Sequence, residues 1–255
     1  MVLKLPSQLQ RFGIPSLSHY YNEYKELGNS KFKLTEISSE AILVFLQEID
    51  PDKAAGLDNI SGRFLRDGAN ILAKPISQIC NISIKYSVFP RDCKVAKLRL
   101  LYKKGSKTDP KNYRPISLLP LISKIIEKVV HDQTQNFLNK SKIYYKYQSG
   151  FRKHFSTNSC LLYLHDRILN GFDHNLYTGM ILIDLQKAFD TIDHKILLDK
   201  MFFVGFSEQT IKWFNSYLSE RQFKVNLNGT FSEPGIVSCG VPQGSILGPL
   251  LPYYI

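Results

Sequence analysis

The sequence predicts an α+β fold, because segments with helical periodicity are interspersed with short strands of several kinds. Residues 95–103 alternate apolar and basic side chains, and this period of two indicates a β-strand with an apolar back and a basic front. Residues 223–227 alternate up to Asn228-Gly229, a dipeptide typical of a two-residue hairpin turn. Met180–Ile183 is a continuous apolar run, which indicates a strand buried on both faces.

Helices are predicted where apolar side chains recur every three or four residues. The predicted ranges are 35–50, 70–87, 119–138, 156–170, 191–203 and 208–219. Thr35 and Ser156 are the expected N-caps of the first and fourth helices, since their hydroxyls can accept free backbone amides. In the fourth helix, Leu161, Leu164 and Ile168 are expected to face inward. Residues 1–34 are polar and weakly periodic and are interpreted as a tether, followed by a helical region over 35–93 and the main domain over 94–255.

The composition favours a globular protein with a polyanionic partner. The chain has 255 residues and a formal net charge of +11, with 44% hydrophobic and 22% charged residues. Such a positive balance favours nucleic acid or an anionic membrane as the partner. No apolar run approaches the roughly 20 residues that a membrane-spanning helix needs, so no membrane partner is expected. The four cysteines form no CxxC pair, which argues against a disulfide-dense fold or a cysteine-rich zinc site and favours a reducing compartment.

Much of the positive charge is concentrated between Lys94 and Arg114. Eight basic residues fall in this range against a single acid, Asp109. Most charge runs are simply solvated surfaces, but this one lies on a predicted strand and an adjoining Gly-Ser loop, where phosphates could reach it. The pattern therefore predicts phosphate binding, with a solvated face as the alternative.

A few acidic, aromatic and glycine residues could carry chemistry. Asp184 follows the apolar run, and a carboxylate held at the rim of a sheet suits a Mg²⁺ ion, although a capping or salt-bridged aspartate is the alternative. Asp190 and Asp193 are assigned to the start of the next helix, whose positive end favours them. Phe189 is either a core residue or a side chain that presses against a sugar. The glycines over 240–248 either let the backbone approach a ligand or simply form a turn-rich loop.

Four motifs in a fixed order resemble the reverse transcriptases of non-LTR (LINE-type, jockey-like) retrotransposons. They are Tyr113–Leu119, Gln148–Arg152, Leu182–His194 and Gly240–Leu250. Two further segments, Lys53–Asp58 and Phe89–Pro90, resemble the region upstream of that polymerase. Any one of these motifs alone would be weak, whereas their order and spacing make the resemblance specific.

The resemblance implies a right-hand polymerase fold with fingers and a partial palm over 94–255, and it assigns roles to individual residues. Asp184 would be the catalytic carboxylate that binds Mg²⁺ (or Mn²⁺), and Leu185 would offer its backbone carbonyl to the metal. Phe189 would be the steric gate against the ribose 2′-hydroxyl. The other residues expected to bind the nucleotide are Lys103, Lys104, Arg114, Gln243 and Gly244. Those expected to bind nucleic acid are Lys97, Arg99, Lys107, Lys111 and Arg152.

The implied partners are an RNA template, a DNA primer, deoxynucleoside triphosphates and the remainder of a retrotransposon polyprotein. An intracellular site is expected, cytoplasmic and nuclear as for a retroelement. In the family a hairpin with two adjacent aspartates and then a thumb follow, whereas here Leu251 is followed by Pro252–Ile255. We therefore expect no thumb and an isolated chain that is inactive. Two alternatives stay open, a non-catalytic basic RNA- or DNA-binding remnant and a reverse transcriptase of the group II intron type.

Overall fold

The computed structural model describes residues 31–145, 147–185, 187–227 and 229–251, and within these ranges it has seven α-helices and one mixed sheet. The helices are α1 (Ser39–Gln47), α2 (Gly62–Asp67), α3 (Ala69–Tyr86), α4 (Leu121–Lys140), α5 (Thr157–Asp173), α6 (His194–Phe203) and α7 (Glu208–Leu218). The strands are β1 (Val95–Tyr102), β2 (Tyr113–Leu118), β3 (Arg221–Leu227), β4 (Thr230–Phe231) and β5 (Gly235–Val237). The predicted α+β class agrees with this mixture of helices and sheet.

The sheet has the order β2-β1-β3-β4, and β5 pairs with β3 as well. β1 and β2 form an antiparallel hairpin, whereas β1 and β3 are parallel. β3 and β4 are antiparallel with Leu227 opposite Thr230, which is the strand pairing expected of the predicted hairpin, while Asn228 of its turn lies outside the described residues. The parallel pair brings a strand near residue 222 beside one near residue 95, which no local pattern in the sequence indicates.

The predicted helices are present, with shifted ends. α1 begins at Ser39 instead of near residue 35, because the Ser38 side chain accepts the Ala41 amide at 3.3 Å. The predicted Thr35 cap is therefore wrong, and Thr35 instead donates its amide to Gln133 at 2.8 Å. Ser156 does cap α5, in a reciprocal pair of hydrogen bonds with Ser159.

One hydrophobic core joins the helical region over 35–93 to the helices that follow the sheet hairpin. Its members include Leu46 of α1, Cys80 of α3, Val130 of α4 and Trp213 of α7. Leu34 is buried in this core, and Phe32 stacks on Phe137 with 4.7 Å between ring centroids. Phe32 and Leu34, at the end of the predicted tether, thus pack against the domain, while residues 1–30 of that tether lie outside the described residues.

The apolar run Met180–Ile183 does not form the predicted buried strand. Its side chains are 58–86% exposed, and no strand of the described residues pairs with it. A continuous apolar run is buried on both faces only when neighbouring strands and helices cover it, and the described sheet uses other segments. The neighbouring helix α5 is also largely exposed, with Leu161 at 57% instead of inward.

None of the helices in the described residues combines the length and the apolarity that crossing a membrane requires.

The exposed apolar run predicts self-association of the isolated chain, because contiguous apolar surface of this kind is removed from water when two copies meet. We expect oligomers at micromolar concentration by analytical ultracentrifugation. Changing Ile181 and Ile183 to Lys should shift the distribution toward monomer. The matched control changes Ile71 and Ile82, exposed side chains of α3, to Lys and should leave association unchanged. A monodisperse monomer for the unaltered chain would contradict the prediction.

Candidate nucleotide and nucleic-acid site

Two of the predicted motifs lie side by side, joined by backbone hydrogen bonds. The Val241 amide donates to the Phe189 carbonyl and the Gly240 amide to the Ile192 carbonyl, both at 2.8 Å. His194 Nε2 lies 2.7 Å from the Gly240 carbonyl oxygen. Because a carbonyl only accepts, the His194 ring carries its proton on Nε2 in this contact. The loop at 240–245, which we call the glycine loop, is therefore held against residues 189–194.

Gln243 connects three parts of the site. Its side-chain amide donates to Asp190 Oδ1 at 2.7 Å, and its backbone carbonyl accepts the Ser117 backbone amide of β2 at 2.8 Å. The assignment of Asp190 to a helix start is wrong, because α6 begins at His194 and Asp193 alone caps it. The Asp190 carboxylate instead fixes the orientation of the Gln243 side chain.

Two glycines of this loop are required by close backbone approach. Gly240 has φ +80°, and a Cβ there would lie 2.7 Å from backbone atoms of Asp190. Gly244 has φ +110°, and a Cβ there would lie 2.8 Å from the Ser117 carbonyl oxygen. Any side chain at either position meets rigid backbone in a conformation that L-residues rarely adopt. Both glycines thus allow the loop to lie directly on its neighbours.

A buried carboxylate that sequence reasoning missed fixes the other end of the loop. Glu127 of α4 is fully buried, and its Oε2 accepts the amides of Ile246 at 2.7 Å and Leu247 at 3.3 Å. Ser123 donates to its Oε1 at 3.0 Å. Burial raises the pKa of Glu127 above its ordinary value, and these hydrogen bonds together with the charge of Arg221 act in the opposite direction. The signal in the sequence was its position beside Ile126 and Val130 on the apolar side of α4.

Arg221 is a buried positive charge of this region. Its side chain is 1% exposed, and a guanidinium N–H donates to the Tyr217 carbonyl at 2.8 Å. The guanidinium also lies 4.7 Å from the centroid of the Tyr217 ring. Arg221 opens β3, so this charge ties the strand to the end of α7.

The strand register places four basic side chains on one face of the sheet, which we call the basic face. Lys97 and Arg99 lie two residues apart on β1, so their side chains are on the same face of the sheet. Arg114 of β2 lies opposite Leu101, which is two residues beyond Arg99 and shares that face. Lys224 of β3 lies opposite Lys97 across the parallel pair. Lys224 was missed because the pairing of β1 with β3 is not visible in the sequence.

The remaining predicted basic residues lie in three different settings. Lys103, Lys104, Lys107 and Lys111 are exposed at the end of the β1–β2 hairpin. Lys94, part of the same charge run, is buried, and burial lowers its pKa. Arg152 uses its guanidinium to donate to the Gln148 carbonyl at 3.1 Å, and it lies 4.1 Å from the centroid of the Phe155 ring. The guanidinium of Arg152 thus has protein partners in its own loop.

Asp184 and Leu185 are exposed, and they follow the uncovered run at 180–183. A carboxylate and a backbone carbonyl are oxygen donors of the kind that Mg²⁺ prefers. Within the described ranges, however, no group of three or more His, Cys, Asp or Glu residues comes together in a way that could hold a metal. Asp184 and Leu185 could thus supply part of the coordination of one Mg²⁺ ion. The described residues bring no further carboxylates together that would hold two ions.

Phe189 is half-buried and lies beside Phe151, with 6.3 Å between ring centroids. This contact brings the Gln148–Arg152 motif next to the segment that follows Asp184. The motifs Gln148–Arg152 and Gly240–Leu250 thus both contact the motif Leu182–His194. Gln243 also links its loop to β2, which carries the motif Tyr113–Leu119.

The comparisons with known proteins identify the family to which the chain belongs. Residues 102–253 match the family described as reverse transcriptase (RNA-dependent DNA polymerase), and the chain belongs to this family. It is similar to the probable RNA-directed DNA polymerase from transposon BS of Drosophila melanogaster, with 32% identity over 222 residues, which is 84% of this chain and 24% of the relative. It is also similar to the RNA-directed DNA polymerase from mobile element jockey of Drosophila melanogaster, with 30% identity over 238 residues, which is 92% of this chain and 26% of the relative.

The chain thus spans about a quarter of the length of these relatives. The resemblance to reverse transcriptases of non-LTR retrotransposons is confirmed. Because these relatives come from transposons, they favour the retrotransposon type over the group II intron alternative.

Replacing Glu127 by Gln tests the buried carboxylate. Since burial raises the native pKa, the wild-type chain loses stability relative to the variant as pH rises above the ordinary carboxyl pKa of about 4.3. The expected loss is about 1.4 kcal/mol for every pH unit over which only the unfolded carboxyl is ionised. Urea unfolding between pH 4 and 8 measures it, with the exposed Glu48→Gln as matched control. A difference between wild type and Glu127→Gln that stays constant over this range would contradict it.

Proposed function

We propose that this chain provides the fingers and part of the palm of an RNA-directed DNA polymerase, which extends a DNA primer along an RNA template. The observation that carries the proposal is the contact network of Gln243, which joins β2, the segment after Asp184 and the glycine loop in one site. Template-directed synthesis needs these elements held in a fixed geometry, because misplacement of reacting groups by about 1 Å is costly.

The basic face supports binding of a nucleic-acid backbone. Lys97 and Lys224 lie directly opposite each other, and like charges in that position repel. A phosphate chain along the face would offset this repulsion. Arg114 on the same face suits the incoming triphosphate, since a guanidinium can bind phosphate oxygens with two parallel hydrogen bonds. Lys103 and Lys104 extend this surface toward the hairpin end, with Lys107 and Lys111 beside them.

The loop residues have positioning roles in this proposal. Gln243 is held by Asp190 and Ser117, so its place beside the nucleotide would be set by protein contacts before substrate binds. Gly244 lets the loop approach β2. Phe189 would act as the steric gate against a ribose 2′-hydroxyl. The Glu127 carboxylate holds the amides that follow the loop.

Asp184 would hold Mg²⁺ with its carboxylate, with the Leu185 carbonyl as a further oxygen donor. When bound, Mg²⁺ supplies charge to stabilise the phosphates and lowers the pKa of an attacking hydroxyl. Mn²⁺ is the alternative ion. Two ions about 3.5–4 Å apart need several anionic ligands. Since the described residues contain no cluster of three such ligands, a second candidate function for the isolated chain is nucleic-acid binding without catalysis.

Affinity for a primer–template duplex is expected to fall steeply with salt if phosphates bind the basic face. About five phosphate contacts give a slope of log affinity against log salt of about −3.5 to −4.5. Changing Lys97, Arg99 and Lys103 to Glu should flatten the slope, and Lys224→Glu alone should flatten it by about 0.9. Fluorescence anisotropy over a salt series measures it.

The matched control changes three exposed lysines away from the sheet, Lys74, Lys140 and Lys195, to Glu. Equal flattening by this control, or a slope near zero for the unaltered chain, would refute the basic face as the binding surface.

Primer extension separates the two candidate functions. We expect no extension of a short DNA primer on a homopolymer RNA template with Mg²⁺ or Mn²⁺, because a single carboxylate cannot hold two ions. The isolated chain should then behave as Asp184→Asn does. Extension by the unaltered chain that is lost in Asp184→Asn would show that it catalyses alone and would exclude the binding-only candidate.

A further inference from the structure

An open basic cleft lies at the opposite end of α7 from the sheet. It has a volume of about 550 Å³, and its lining includes Lys31, Lys33, Lys85, Tyr86, Glu208 and Lys212. α7 has 11 residues and is therefore about 16 Å long. Strand β3, which carries Lys224, begins after the C-terminal end of α7, whereas the cleft lies at its N-terminal end. The cleft is thus a surface separate from the basic face.

Hydrogen bonds hold the walls of the cleft together. The Phe32 amide donates to the Gly205 carbonyl at 2.7 Å, and the Ser207 amide donates to the Phe32 carbonyl at 2.9 Å. Ser87 donates its hydroxyl to the Gln209 carbonyl at 2.9 Å, and Gln209 Nε2 donates to the Lys85 carbonyl at 3.2 Å. The segment at 31–33 and the end of α3 are therefore both fixed to the start of α7.

Within the part of the chain that the structure describes, the cleft carries a surplus of positive charge. Four lysines line it against the single acid Glu208. Among the residues that the structure describes, none of these lysines is ion-paired with a carboxylate. Two of the ammonium groups instead lie near aromatic rings, Lys31 at 5.3 Å from the Phe202 centroid and Lys85 at 5.6 Å from the Tyr86 centroid. Four like charges held around one cleft favour an anionic ligand.

Tyr86 narrows the class of ligand. It is 65% exposed at the end of α3 and lines the cleft together with the lysines. An exposed aromatic ring among lysines is the combination that binds single-stranded nucleic acid, with a base stacked on the ring and phosphates on the ammonium groups. A duplex keeps its bases stacked on each other and gains nothing from the ring.

We propose that this cleft binds single-stranded nucleic acid through its phosphates and one base stacked on Tyr86. The site is additional to the polymerase site and does not depend on Mg²⁺ or nucleotide. RNA and DNA share this chemistry, and the experiment distinguishes between them.

The test uses the full chain, without divalent metal or nucleotide, and labelled oligonucleotides of about 10 residues as RNA and as DNA. Lys85→Glu with Lys212→Glu should make the slope of log affinity against log salt shallower by about 1.4, because two lysines no longer bind phosphates. If the affinities of variant and wild type converge at 1 M salt, the variant binds about 25-fold more weakly at 0.1 M salt. Lys74→Glu with Lys195→Glu carries the same charge change and should leave the slope unchanged. If the cleft variant loses more affinity for the RNA than for the DNA oligonucleotide, or the reverse, the oligonucleotide with the larger loss is the preferred ligand of the cleft.

Stacking is tested at Tyr86. Tyr86→Ala should weaken binding at least about fivefold, whereas Tyr86→Phe keeps the ring and should bind as wild type does. If Tyr86→Ala binds normally, or if the control pair loses as much affinity as the cleft pair, the proposal is overturned. Binding to anionic vesicles that the cleft pair abolishes, with oligonucleotide binding intact, would assign the cleft to a membrane surface and overturn it too.

Primer–template binding by the same variants keeps this result separate from the proposed polymerase function. The cleft pair should retain the duplex affinity that depends on Lys97, Arg99 and Lys103. Loss of duplex affinity in both sets of variants would show one continuous surface and overturn the separate site. The outcome of the primer-extension assay bears only on the choice between the two candidate functions and leaves the cleft proposal unchanged.

Discussion

The buried side chain of Glu127 fixes the chain directly after the loop at 240–245, where the backbone leaves the candidate site. It accepts two backbone amides directly after the loop and a hydroxyl from its own helix, so its oxygens are satisfied without solvent. A buried carboxylate without such partners is strongly destabilising. With it in place, the loop at 240–245 lies between β2 and residues 189–194, and the glycines at 240 and 244 are the side-chain-free positions that this close approach requires.

The sheet adds electrostatics to this mechanical arrangement. Strand pairing gathers Lys97, Arg99, Arg114 and Lys224 on one face, although like charges opposite each other destabilise a sheet. Arg221, at the start of the strand that carries Lys224, is instead buried against Tyr217. β3 therefore carries two cations with different roles, which their burial distinguishes. Arg221 is buried and structural, whereas Lys224 belongs to the basic face.

The segment that ends at Asp184 has a different character. Its apolar side chains are exposed, and its carboxylate is also exposed beside them. The described residues pack against Phe189 and hydrogen-bond to Gln243, whereas Asp184 is exposed. The candidate site therefore has more protein contacts around the loop at 240–245 than around the carboxylate of Asp184.

Local patterns in the sequence were enough to predict the helices, the β3–β4 hairpin, the positive charge and the family, because periodicity, turn dipeptides and motif order are local properties. They misplaced the cap at Thr35, the role of Asp190 and the burial of Met180–Ile183. Tertiary packing was needed to show that Glu127 meets Ile246, 119 positions away, that Lys224 joins the basic face, and that the lysines around Tyr86 form a cleft. Burial, strand register and charge clustering are set by which distant segments pack together, and no local pattern carries that information.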